Sequence, residues 1–177
     1  MILRFFIAAL LCSSFHLPSR TYDYIQWNAM QRLSWIDFQA VPPQGATNAA
    51  LTSSSILMRF STNGKTLDFH ISCQFDKQSS WGRVKNDHIL SHEQGHFDIA
   101  EIHARKLNKE LRAYKVNKSQ VSRDVNSIYQ HVMQELTRMQ MQYDQETDYS
   151  RKFPEQKSWI VKIDSYLEGL KGFSNYR

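Results

Sequence analysis

The chain has 177 residues, 41% hydrophobic and 22% charged, with a formal net charge of +5. That is the make-up of one folded domain with a real core, not of a disordered segment. Lysines and arginines are scattered and read as a solvated surface; no basic stripe or reading motif argues for a nucleic-acid partner.

The N-terminus, "MILRFFIAALLCSS", places Arg4 before an apolar run from Phe5 to Cys12 and ends in small residues. This layout predicts a signal peptide over residues 1–14 and an exported product, periplasmic or secreted. The run is far shorter than the ~20 residues a membrane span requires, and no later segment is apolar enough to be transmembrane. Residues 15–177 then form a single domain. Its one remaining cysteine, Cys73, cannot make an internal disulfide and reads as a small buried hydrophobe.

"LSWIDF" (33–38) is a compact apolar anchor, and "VPPQG" (41–45) is a turn or extended loop by its prolines. In "SSILMRFSTNGKTLDFHISCQF", Ile56, Met58 and Phe60 alternate with polar neighbours, as do Leu67, Phe69, Ile71, Cys73 and Phe75. Asn63-Gly64 between the runs predicts an antiparallel hairpin with one apolar face, and one hairpin strand could offer an edge to an extended peptide. From Asn86 the period becomes helical: Ile89, Leu90, Phe97, Ala100, Ile102, Ala104, Leu107 and Leu111, capped by Asn86 or Asp87. A second helix is expected from about Ser119 to Asp148 and a third from Phe153-Pro154 onward. The expected architecture is α+β, a short antiparallel sheet packed on three helices.

The chemistry concentrates in "HEQGH", His92 to His96, which places a histidine pair at helical spacing with Glu93 beside it. Residues four apart differ by about 40° around a helix, so the two imidazoles project side by side and can share one tetrahedral zinc ion. Glu93 is badly placed to be a ligand but well placed to take a proton from metal-acidified water and pass it to a leaving amine. With seven histidines and seven glutamates in the chain, this pattern arises by chance in roughly one such chain in a hundred. Its fall inside a periodic helix strengthens it. Gly95 suggests another backbone approaching closely, since glycine in a helix costs ~1 kcal/mol against alanine.

His88 and His103 lie on nearly the same face and read as partly exposed. His103 is about 16 Å along the axis from His92, too far to share a metal. Glu101 points the opposite way, and an i,i+4 pair with Arg105 is its expected role. Asp98 is off the metal face too and is expected to fix the helix to a neighbour. The third ligand must come from elsewhere in the fold. Antiparallel packing brings the end of the second helix, "YDQETDYS", toward His92, so Asp144, Glu146, Asp148 and Tyr149 are candidates.

These blocks resemble a bacterial family described as predicted secreted zinc-dependent proteases. The resemblance rests on "LSWIDF" with its proline turn, "SSW" (79–81), "HEQGHFDIAEIHARKL" from His92, and "YDQET" (143–147). It implies a zincin-like metallopeptidase with His92 and His96 as Zn²⁺ ligands, Glu93 as catalytic residue and a peptide or protein as substrate. Where the family pattern continues to a histidine-glycine pair, this chain has Tyr149 and Ser150. Asp144 is then the favoured third ligand, with Glu146 and Tyr149 as alternatives. Tyr149 could also stabilise an oxyanion as a phenol donor. The rival expectation is a catalytically impaired, zinc-stabilised binding module of the cell envelope.

Overall fold

The computed structural model describes residues 23–176; the expected signal peptide lies outside the described residues. Strands β1 (Tyr24–Gln26), β3 (Ser54–Thr62) and β4 (Leu67–Asp76) form an antiparallel sheet in the order β1-β4-β3. Strands β2 (Ala50–Leu51) and β5 (Trp81–Gly82) pair as a separate antiparallel ribbon. Helices α1 (Asp87–Ala113), α2 (Val121–Thr147) and α3 (Phe153–Gly169) follow, then a 3₁₀ turn at Lys171–Phe173. The α+β architecture is the one the pattern of elements implies.

The β3–β4 register pairs Ile56 with Cys73, Met58 with Ile71 and Phe60 with Phe69, so the alternating apolar residues share one face. Thr62 pairs with Leu67, which leaves a four-residue loop rather than a two-residue turn at Asn63-Gly64. The reason is local: the Asn63 side chain accepts from the backbone N–H groups of Lys65 and Thr66, at 2.9 and 2.8 Å. Gly64 takes φ +82°, a conformation glycine adopts without a Cβ clash.

Helix α1 starts where Asn86 caps it, its side chain accepting from Ile89 N–H at 2.9 Å. It then runs through the middle of the molecule. Phe97, Ala100, Ala104 and Leu107 pack under the sheet with Ile56, Ile71, Cys73 and Phe75, and Val121, Val125 and Val132 of α2 close that core. Ile99 and Ile102, on another side of α1, pack with Tyr143, Trp159 and Ile163 of α2 and α3. Each of these large apolar side chains contributes about 1.5–3 kcal/mol by leaving water.

A helix covered on several sides must also bury polar residues, and α1 does. Asp98 accepts from Trp27 Nε1 at 2.7 Å, Arg32 Nη1 at 3.0 Å and Gln94 Nε2 at 2.9 Å, fixing the helix to the N-terminal segment. Burial pushes its carboxyl pKa up, with Arg32 pulling against it. Glu101 is fully buried and pairs with Arg105 at 2.9 Å and with the Tyr176 hydroxyl. His103 is also fully buried rather than partly exposed, its Nδ1 2.8 Å from the Ile99 carbonyl. That correction follows from α2 and α3, whose residues Glu135, Met139, Trp159 and Tyr166 surround His103.

Candidate metal centre

Helices α1 and α2 run antiparallel, so His92 meets Asp144, His96 meets Gln140, and Lys106 meets Glu135 farther along. Asp144 Oδ1 lies 3.1 Å from His92 Nε2 and 3.0 Å from His96 Nε2, and the two Nε2 atoms are 3.2 Å apart. Three donor atoms therefore converge on one point, a cluster that could hold a metal ion. Zinc bonds of about 2.0–2.1 Å put tetrahedral ligand atoms roughly 3.3 Å apart, close to this spacing.

The hydrogen bonds behind His96 support the same conclusion. Gln140 Nε2 donates to the His96 carbonyl at 2.9 Å, which fixes the orientation of the amide. Gln140 Oε1 then faces His96 Nδ1, and an amide oxygen can only accept, so Nδ1 carries the proton. A neutral His96 thus turns the Nε2 lone pair toward the Asp144 carboxylate. Two lone pairs at 3.0 Å repel unless a cation, a proton or a metal, lies between them.

Protonation preferences express that tension. Burial pulls His96 down, but Asp144 and Glu93 outweigh it and its pKa ends above the ordinary histidine value. Burial would raise Asp144, yet its bonds to His92 and His96 hold it far below the usual carboxylate range. His92 is lowered, chiefly by burial, with Asp144 opposing.

Tyr143 braces the pair from beneath. Its ring stacks on His92 at 4.5 Å and 19°, and its hydroxyl donates to the His92 carbonyl at 3.3 Å. This explains Gly95: a Cβ there would come within 2.5 Å of the Tyr143 hydroxyl. A side chain, not another backbone, makes the close approach.

Glu93 is buried beside the cluster, and its Oε2 has no hydrogen-bond partner among the described residues. Burial pushes its carboxyl pKa up, with His96 and Thr52 opposing and Asp144 adding to the rise. A cavity of about 510 Å³ opens over His92, Glu93, His96 and Asp144. Its walls come from the β2–β3 stretch, including Thr52 and Ser54, and from Leu136, Met141 and Tyr149.

The other expected candidates are not brought to the cluster. Glu146 turns toward α3, accepting from Trp159 Nε1 at 2.7 Å. Asp148 ends α2 in the left-handed region and pairs with Arg151 at 3.1 Å. Tyr149 stands at the mouth of the cavity, half exposed. Asp148, Tyr149 and Ser150 all have positive φ, at 48°, 52° and 71°, a rare run for residues bearing a Cβ. His88 Nε2 lies 2.6 Å from the Ser150 carbonyl, and its ring stacks on Phe153 at 3.6 Å, so it pins this segment.

Three contributors escaped sequence reasoning. Gln140 lies one turn before Asp144 on the same face of α2, a signal that could have been used. Thr52, whose hydroxyl donates to the Glu93 carbonyl at 3.1 Å, has no such signal. Tyr143 reads as core because it is core; its second role depends on the facing glycine.

Fold and site together define a small α+β protein with a His–His–Asp cluster, borne on two helices, that could hold a metal ion. Residues 28–151 match the bacterial protein family of unknown function DUF922, and the chain belongs to that family. The matched segment contains every residue of the cluster. No curated protein and no solved structure matches the chain. Among the described residues, no helix is long and apolar enough to cross a membrane.

Proposed function

We propose that this chain is an exported zinc-dependent metallopeptidase. The observation that carries the reading is the convergence of His92, His96 and Asp144 on one point, with the buried, incompletely hydrogen-bonded carboxylate of Glu93 beside it under an open cavity. A zinc ion held by those three side chains would supply Lewis acidity, polarising a carbonyl and acidifying water.

The chain's own residues do the rest. Gln140 keeps the His96 proton on Nδ1 and so its Nε2 free as a donor atom. Tyr143 fixes the plane of His92 by stacking. Glu93, whose burial raises its basicity, takes a proton from water and delivers it to the amine nitrogen as the C–N bond breaks. Water is consumed, and a carboxyl and an amine are the products. Tyr149, at the mouth of the same cavity, is a phenol donor available to a developing oxyanion.

The test is peptide cleavage by Glu93→Gln. The variant is expected to keep its zinc and lose about 10²–10⁴-fold in rate; unchanged cleavage would sink the peptidase reading.

One observation favours a second reading, a metal-stabilised envelope-binding module with impaired turnover. Ser150 has φ 71°, where glycine is the natural occupant, and it follows Tyr149, where the resemblance expects histidine. That reading predicts bound zinc but no cleavage of any peptide in a diverse library.

A further inference from the structure

A second cavity, of about 500 Å³, adjoins the first. Asn48, Ala49, Tyr149 and Ser150 line both, so the two form one groove narrowed by the left-handed segment. The lining of the second is of one sign: Arg83 and Arg151 contribute to it, and among the described residues no aspartate or glutamate does.

Arg83 is held in an informative way. Its Nε donates to the Asn48 carbonyl at 3.0 Å and its Nη2 to the Thr47 carbonyl at 2.9 Å. Neutral acceptors position a guanidinium without cancelling its charge, and these contacts use only two of the five N–H donors of the fork. Arg151 is paired with Asp148, but that pair is exposed and weak, and a ligand carboxylate can compete for it. An arginine fork presented in this manner is matched to a carboxylate.

Spacing relates this cavity to the metal centre. His88 lines the second cavity one helical turn before His92, about 6 Å along the axis. An extended peptide advances about 3.3–3.6 Å per residue. A chain crossing the groove with its scissile bond at Glu93 therefore enters the second cavity, whose lining includes both His88 and Arg83, within about two residues of that bond.

We propose that the groove beyond Tyr149 is a carboxylate subsite, built on Arg83 with help from Arg151, that selects peptides carrying a carboxylate one or two residues from the bond at the metal centre. The inference rests on the peptidase reading of that centre. The carboxylate comes either from an aspartate or glutamate side chain or from the free C-terminus of the peptide.

The experiment measures binding, so that its outcome is separable from that of the cleavage test. Zinc-loaded protein carrying Glu93→Gln is titrated, by fluorescence anisotropy, into labelled hexapeptides of three kinds. One set has a single glutamate scanned through an amidated chain, one has glutamine in the same places, and one has glutamine with a free C-terminus. Carboxylate peptides are expected to bind about tenfold tighter than amidated glutamine peptides, and whichever set does so identifies the source. Adding Arg83→Gln brings that ratio to about one, whereas Arg83→Lys, which keeps the charge but loses the fork on residues 47 and 48, retains a several-fold preference. Equal binding of all three sets, no binding by any carboxylate peptide, or a preference that survives Arg83→Gln overturns the proposal. A preference in a protein that cleaves nothing sinks only the peptidase reading.

Discussion

The two halves of α1 bury polar side chains to opposite ends. Beyond Asp98, Glu101, His103, Arg105 and Asn108 each reach a partner: Arg105 and Tyr176 for Glu101, the Ile99 carbonyl for His103, the Leu167 carbonyl for Arg105 and the Phe173 carbonyl for Asn108. Unpartnered buried atoms occur on both sides of Asp98, His92 Nδ1 and Glu93 Oε2 before it and Asn108 Oδ1 beyond it, but only before it do two histidines, His92 and His96, turn their Nε2 atoms on one carboxylate oxygen. A buried polar group without a partner costs about 1–3 kcal/mol. In the C-terminal half Glu101, Arg105 and Asn108 hold α3 and the C-terminal segment in place; the N-terminal half keeps a tension that a proton or a metal ion relieves.

If that contrast is right, substitutions in the C-terminal half should damage stability and spare metal binding. Glu101→Leu leaves the Arg105 guanidinium buried and uncompensated, and should cost about 3–5 kcal/mol in chemical denaturation with zinc content intact. Loss of zinc from a still-folded variant would break the distinction between the halves.

A pH experiment sharpens it. Burial is the main cause that brings His103 down to about 4 from the ordinary 6.5. The unfolded chain then takes up a proton that the folded chain refuses between those values, so stability is full above the ordinary value and falls as pH drops toward 4. The loss amounts to about 3 kcal/mol. His103→Gln should flatten this part of the stability profile, measured by thermal or urea unfolding; an unchanged slope would contradict the assignment.

In the N-terminal half, Gly95→Ala meets the fully buried Tyr143, which has nowhere to swing. The expected cost is about 1–3 kcal/mol despite the better helix former, with weaker zinc retention because the His92 stack is disturbed. The smallest effect is a gain. Ser150→Gly relieves the left-handed backbone at φ 71° and should add about 1 kcal/mol in thermal unfolding.

The same contrast explains what could be read in advance. His92 and His96 were legible because helix geometry alone sets their relation, one turn apart. The hairpin was legible because alternation is a property of adjacent residues, although its loop length turned on the Asn63 side chain. Helix packing alone left Asp144 among four candidates, and only the resemblance made it the favoured one, because its phase depends on how α2 rotates against α1, where Tyr143 packs on the facing Gly95. His103 was misread for a related reason. The cover over that flank is built by residues far along the chain, from α2 and α3, and no local periodicity reports it.

The most direct test of the metal centre is the zinc content of the purified protein, by elemental analysis, beside His96→Ala and Asp144→Ala. About one zinc per chain is expected in the unaltered protein, with loss of most of it in both variants while far-UV circular dichroism still reports a folded chain. Absence of stoichiometric metal from the unaltered protein, or full retention by Asp144→Ala, would contradict the metal centre.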